Sequence, residues 1–586
     1  MNRKQRRATL KQSSSAGGHR AGPASDPVGQ LFAEAERLQQ QNKLNDAARV
    51  YKRLLLLKPD HAQASNNLGV VLQAQGKLAE ASVHFARALT LMPQLFQQSE
   101  NIATTLFVLN PQIGEAIKRV AKSWPNRPTA EDVLGPAGIV ALAGDPILTC
   151  MLQSTTIRNI GLERLLTVIR LSVLHAAMNA STRDQIANHV LEFYCALAKQ
   201  CFINEYVFAT TADESKQAER LKTNLIDALS SDVPIAESLP VAVAMYLPLH
   251  SLPDTAALLK RAWPPAIDDL LNQQVREPAQ ERQYRDSIPR LTVIDDDVSL
   301  RVREQYEENP YPRWVHVAAG VEPVAIDQYL RNMFPTAPFE PSGKTVDLDI
   351  LIAGCGTGQH PINAAQLYLG ARLLAVDLSL SSLCYAKRKT PLSLKEKIEY
   401  AQADILKLPS IGRSFDVIDA SGVLHHIADP FAAWRGLIML LRPRGLMHLG
   451  FYSELGRRDV VAARAFIAER GYGSTPEDIR RCREDLLQTP LAALTGLGDF
   501  FSTSECRDLL FHVQESRLTI PAIRDFLAAY ALRFIGFEFT SPALQHFRAL
   551  FAANGWSMTD LDKWHAIETQ YPNTFSGMYQ LWVQKS

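Results

Sequence analysis

The feature that most constrains the fold is the stretch from Asp349 to His360, which reads D-I-L-I-A-G-C-G-T-G-Q-H. Ile350 to Ala353 is a continuous apolar run, the pattern of a strand buried on both faces of a parallel sheet. Gly354, Gly356 and Gly358 follow at alternate positions. Glycine adopts positive φ readily and, lacking a Cβ, lets a ligand approach the main chain. Beyond them Ile362, Ala365, Leu367 and Leu369 mark a helix-like segment. Strand, glycine turn and helix in that order make the first unit of a doubly wound nucleotide-binding fold.

The next strand, Leu373 to Val376, ends in Asp377. That carboxylate lies about 20 residues past the glycines, where a ribose ligand is expected. The dinucleotide fingerprint is G-x-G-x-x-G, but Gln359 takes the place of its third glycine, so NAD is discounted. Ile398 to Ala403 reads as a third strand, followed by Asp404 and Ile405. Phe415 to Ala420 reads as a fourth, running into S-G-V-L-H-H-I-A-D-P from Ser421 to Pro430. A helix through Trp434 and Leu440, a turn at Arg442 to Gly445 and a fifth strand, Leu446 to Tyr452, follow. Arg533 to Phe539 and Met578 to Gln584 read as two last strands, joined by a helix Pro542 to Ala553.

This order of elements resembles the class I S-adenosylmethionine-dependent methyltransferases, which commonly show a V-L-H-H…D-P stretch after the fourth strand. The resemblance implies S-adenosyl-L-methionine as cofactor and an antiparallel pair for the last two strands. It implies that Gly354, Gly356 and Gly358 admit the cofactor to the main chain and that Asp377 holds the ribose hydroxyls. Asp404 and Ile405 are then expected at adenine, with Ser421 and Gly422 beside the reacting methyl. One departure is Ile352, where many members carry an acidic residue, so a contact to the methionine end is missing or supplied elsewhere.

Three residues are candidates for catalysis. His425 either reaches the acceptor or packs into the helix that follows. Tyr311 belongs to the segment Arg301 to Trp314, whose Tyr306, Tyr311, Arg313 and Trp314 are candidates for a lid over the cofactor, the alternative being a packed linker. Pro310 and Pro312 stop any helix there at Glu308. His512 and Glu515 are placed one helical turn apart on a shared face, to position or deprotonate an acceptor, the alternative being an exposed polar pair on an amphipathic helix. No metal site is expected: the seven cysteines show no C-x-x-C pairing and read as thiols of a reducing compartment.

A chain of 586 residues exceeds one core. Residues 28 to 95 repeat with a period of 34: Ala47 matches Ala81, Tyr51 matches Phe85, and Pro59 matches Pro93. In the second copy Leu68, Gly69, Leu72, Ala81, Phe85, Ala88 and Pro93 fall where tetratricopeptide repeats place theirs, a second resemblance. It implies a concave groove for a peptide or partner protein, the alternative being a helical prop. Leu95 to Val108 is expected as a capping third helix. The fold class is thus multidomain, with an all-α amino-terminal half followed by an α/β Rossmann-like methyltransferase domain carrying a helical insertion. The expected division is a disordered basic leader 1–26, tetratricopeptide repeats 27–110, a helical domain 111–290, a linker or lid 291–340 and the methyltransferase domain 341–586, with its insertion at 453–530.

Charge is balanced, 62 basic against 61 acidic residues, so no basic field points to nucleic acid. No apolar run reaches the ~18 residues that span a bilayer, and the leader lacks the apolar core of a signal peptide. A cytoplasmic enzyme is expected, methylating a protein recruited through the repeats. Two alternatives stay open: a small-molecule acceptor with the repeats used for assembly, and a non-catalytic adaptor with a relic domain.

Overall fold

The structure, a computed structural model, describes residues 27–92, 102–136, 138–181, 185–231, 233–317 and 322–586. The expected leader and residues 93–101, which include Pro93 and the start of the expected capping helix, lie outside the described residues.

Helices α1 (Pro27–Gln40), α2 (Leu44–Leu57), α3 (Ala62–Ala74) and α4 (Leu78–Leu91) pack in succession. The repeat has a steric cause. A Cβ on Gly69 would lie 3.0 Å from the Phe85 ring, so the small residue makes room for the aromatic of the next helix. In the first pair Tyr51 is fully buried, its hydroxyl bonded to Gln39 (2.9 Å) and Asn67 (3.3 Å). A further helix follows at Ile102–Leu109.

From Pro111 to Ser287 the described residues are helical, centred on α5 (Ile160–Met178) and α6 (Asn188–Ile203). Helix α7 (Asp297–Glu308) starts at Asp296, whose carboxylate accepts from the amides of Val298 and Ser299, and it ends before the two prolines. No helix of the described residues is long and apolar enough to cross a membrane.

The sheet comprises β1 (Leu348–Ala353), β2 (Ala371–Asp377), β3 (Ile398–Gln402), β4 (Phe415–Ala420), β5 (Leu441–Ser453), a short β6 (Arg517–Leu518), β7 (Leu532–Phe537) and β8 (Tyr579–Lys585). Their order is β3-β2-β1-β4-β5-β8-β7, with β6 beside the end of β5. The first five run parallel, and β8 and β7 are antiparallel. Alternation along β1 sends Leu351 and Ala353 to one core and Leu348, Ile350 and Ile352 to the other. Helices α8 (Gln359–Leu367) and α9 (Leu380–Lys389) follow β1 and β2.

Two details differ from the sequence reading. The turn expected at Arg442 to Gly445 lies within β5, as an irregularity where pairing jumps from Phe415–Leu441 to Val417–Leu446. A second helix, Leu561–Gln570, follows Ser541–Ala553 between the last two strands.

Between β5 and β7 lie α10 (Arg458–Arg470), α11 (Pro476–Leu486) and α12 (Thr503–Phe511). Their apolar side chains, among them Ile467, Ile479, Cys482 and Leu509, share one core with α5 and α6 rather than with the sheet.

Candidate active site

The carboxyl ends of β1 to β4 open on a crevice of about 250 Å³. Gly354, Gly356 and Gly358 turn above it with φ of 77°, 50° and 87°. The space beside their missing Cβ atoms is filled by protein: a Cβ would lie 2.4 Å from Val423, 2.6 Å from the Tyr311 carbonyl and 2.4 Å from Ala386, respectively. Close packing of the chain on itself therefore demands these glycines as much as any ligand does. Gly422 is different. Its φ is 78° and its nearest neighbour is Met578 Cε at 4.0 Å, so its bare side faces open space.

Of the residues expected to hold a cofactor, Gly354, Gly356, Asp377, Asp404, Ile405, Ser421 and Gly422 line the crevice. Gly358 does not; it starts α8, packed on Ala386. Asp377 accepts from the amides of Gly356 (2.8 Å) and Ser379 (2.9 Å). Burial pushes its carboxyl up to about 6; those amides oppose the shift and Glu307 adds to it. Asp404 accepts from the Leu406 amide through Oδ1 (2.9 Å), while its Oδ2 is buried with no hydrogen bond of good geometry. Burial raises this carboxyl too, against the Leu406 amide and the nearby Ser299 hydroxyl. A buried carboxylate oxygen so placed can accept a further N–H.

Residues 311 to 314 cross directly over the glycine turn. The Thr357 hydroxyl donates to the Pro312 carbonyl, and Trp314 Nε1 donates to Thr357 Oγ1 (3.1 Å). Tyr306, Tyr311 and Pro312 line the crevice. Trp314 is buried in the core behind, and Arg313 turns away towards Glu205 (3.7 Å).

The far wall is built by Tyr306, His426, Tyr452 and Asp508. His425 does not reach the crevice. It is buried behind its neighbour, its ring 3.7 Å from that of Tyr452 and its Nε2 3.1 Å from His426 Nε2. The 3-10 turn Leu424–His426 presents the second histidine instead. His426 Nδ1 lies 3.0 Å from the Gln514 carbonyl and so must donate, which leaves the lone pair of the neutral ring on Nε2. Burial lowers its pKa, against the pull of Asp508.

His512 also stands back from the crevice. Helix α12 ends at Phe511, so His512 and Glu515 share no helical face, and both are buried. His512 Nδ1 accepts from the Gln514 amide (3.1 Å), and its Nε2 lies 3.2 Å from the Tyr306 hydroxyl. Burial and His426 drive its pKa down to about 2. Glu515 is held by Arg457 (2.7 Å) and Arg517 (3.1 Å). The Tyr306 hydroxyl donates to Asp508 Oδ1 (2.5 Å).

Residues 351–449 match the family model described as a methyltransferase domain. This stretch is a methyltransferase domain. Among curated relatives, an uncharacterized protein of Synechococcus sp. is 29% identical over 42% of this chain and 62% of its own length. The ubiquinone biosynthesis O-methyltransferase of Xanthomonas axonopodis pv. citri is 29% identical over 26% of this chain and 61% of its own. The trans-aconitate 2-methyltransferase of Escherichia coli O1:K1 / APEC is 26% identical over 39% and 80%. This chain thus spans about three fifths of the first two relatives. Among solved structures, PKMT2 from Rickettsia typhi in complex with AdoHcy is 17% identical over 45% of this chain and 53% of that one, with a TM-score of 0.35.

The crevice of the methyltransferase domain fits a cationic nucleoside. Asp377 and Asp404 stand on its nucleoside side, and no lysine or arginine lines it. Beside Ile352, the register partner on β4 is Asp419. Its Oδ2 accepts from His360 Nε2 and His448 Nδ1, both at 2.9 Å, and His360 lines the crevice. Against burial, the two imidazoles hold the Asp419 carboxyl well below the usual range. His426, Asp508 and His512 also bring ligand-type atoms within 4.8 Å of one another. The rings of His426 and His512, however, stack at 3.6 Å with planes 20° apart. Their in-plane lone pairs therefore run in separate planes and do not converge on one ion.

Sequence reasoning missed Asp508 and His426 as wall residues. Asp508 belongs to no motif. His426 was signalled by the paired histidines, but only the turn decides which of the two faces inward.

Proposed function

We propose that the chain is an S-adenosylmethionine-dependent methyltransferase acting on a protein recruited through α1 to α4, which we read as tetratricopeptide repeats. The observation that carries the enzymatic part is the pair Asp377 and Asp404, at the ends of adjacent strands in one crevice, with Asp404 Oδ2 buried and without a hydrogen bond of good geometry. Asp377 takes the ribose hydroxyls and Asp404 the adenine amino group. Ser421 and Gly422 stand beside the methyl, and His360 backed by Asp419 meets the methionine end in place of the acidic residue absent at Ile352.

When bound, the cofactor supplies a methyl group made electrophilic by its sulfonium. The chain's work is to align the acceptor in line with that methyl and to keep water out. Tyr311, Pro312 and α7 close over the crevice for that purpose. The repeat reading is supported by the Gly69–Phe85 fit and the matching placement of Tyr51. A cytoplasmic setting is supported by seven free thiols.

A second reading, a small-molecule acceptor, is favoured by the enclosure of the far wall, where Tyr452 is 7% exposed and Asp508 5%. Incubating the purified protein with methyl-labelled cofactor and cell lysate separates the two. Label in protein supports recruitment through the repeats, and label confined to metabolites contradicts it.

A further inference from the structure

Resting on the methyltransferase reading, we propose that the acceptor atom is the nitrogen of an aliphatic amine, received as its ammonium by Asp508 and the hydroxyls of Tyr311 and Tyr452.

The charge of the crevice leads to this class. Asp377 and Asp404 stand at the ends of β2 and β3, the nucleoside side of the sheet, which leaves Asp508 across the crevice, bonded to the Tyr306 hydroxyl but paired with no lysine or arginine. It is 5% exposed, and among the described residues no lysine or arginine comes within ion-pair distance of it. Its nearest cationisable group is His426, at 3.8 Å. The arginines of this region are engaged elsewhere: Arg457 with Glu515, Arg507 with Glu308, and Arg158 with Glu505. A buried carboxylate without a cation is costly, and a cationic ligand removes that cost.

The second observation is independent of charge. Tyr452 is buried, lines the crevice, and among the described residues no hydrogen bond reaches its hydroxyl. Both faces of its ring are covered, by His425 at 3.7 Å and the Arg457 guanidinium at 3.6 Å, so only the hydroxyl is free to meet a ligand. Tyr311 likewise lines the crevice, and among the described residues no hydrogen bond reaches its hydroxyl. An ammonium offers three N–H donors, which matches one carboxylate and two hydroxyl oxygens. A carboxylate or phosphate acceptor would meet Asp508 with no cation to offset it, and a neutral alcohol would leave Asp508 uncompensated.

The step balances without a further reagent. The ammonium gives a proton to solvent in the crevice, since the His426 Nε2 lone pair already faces His425 Nε2 at 3.1 Å. The freed nitrogen pair forms the bond to the methyl carbon as the carbon–sulfur bond breaks, and that pair stays on sulfur as a neutral thioether. The product amine leaves as a methylammonium.

The test uses the full chain with S-adenosylhomocysteine, titrated with Nα-acetyl-lysine methylamide and its norleucine and glutamate counterparts. The lysine probe should bind about tenfold tighter than norleucine, the worth of a hydrogen-bonded charge, and tighter still than glutamate. Asp508→Asn should erase that preference, and Tyr452→Phe should reduce it in a protein that keeps its buried ring. No preference for the lysine probe, or one that survives Asp508→Asn, overturns the proposal. S-adenosylhomocysteine affinity from the same titrations reports the cofactor reading separately; failure of wild type to bind it would bring down that reading and this one together.

Discussion

Arg483 of α11 donates to both carboxylate oxygens of Glu163 on α5, at 3.0 and 2.9 Å, with both side chains buried. The same guanidinium donates to the carbonyls of Phe500 (2.8 Å) and Val207 (3.0 Å). It thereby pins the helices inserted after β5 to the amino-terminal helical half, whose core they share. Removing one partner of such a pair strands a buried charge. Glu163→Gln should cost about 3–5 kcal/mol in denaturant unfolding. Loss below about 1 kcal/mol would show that the joint carries little.

The glycines separate packing from ligand space. In Gly356→Ala the new Cβ meets the Tyr311 carbonyl at 2.6 Å with φ at 50°, so the segment over the turn must shift. Both thermal stability and cofactor affinity should fall. In Gly422→Ala the Cβ enters open crevice, and the backbone strain is about 1–2 kcal/mol. Cofactor affinity should then fall with a smaller loss of stability. Calorimetry paired with thermal melting checks the contrast.

The sheet and the crevice at its carboxyl end were legible because their signals are local: an apolar run, glycines at fixed spacing, and an aspartate at each of two strand ends. The far wall was not. Tyr306, His426, Tyr452 and Asp508 come from four elements spread over about 200 residues, and no spacing encodes their meeting. Periodicity also misplaced His512 and Glu515, because α12 stops at Phe511 and the chain leaves in extended form at His512 (φ −58°, ψ 135°). The amphipathic pattern of α10 to α12 shows that a face is buried but not against which core.

Cofactor affinity should depend on pH through Asp377. Its carboxyl sits at about 6 in the ligand-free fold, raised by burial above the ordinary 3.8. In the proposed role the ionised form accepts the ribose hydroxyls, so protonation should compete with binding. Affinity should be full above about pH 7 and weaken towards tenfold per unit below about pH 6. For the ligand-free protein the sign reverses: this group's contribution to stability is complete below 3.8 and is lost as pH rises through about 6. Titrations from about pH 5 to 8 check the first point, and a flat profile contradicts it.

The most direct measurement is calorimetric titration of S-adenosylmethionine into wild type and Asp377→Ala. Saturable binding to wild type is predicted, with a loss of about 2 kcal/mol or more in the variant, as for hydrogen bonds to a charged group. No binding to wild type, or equal affinity in the two proteins, would contradict the account.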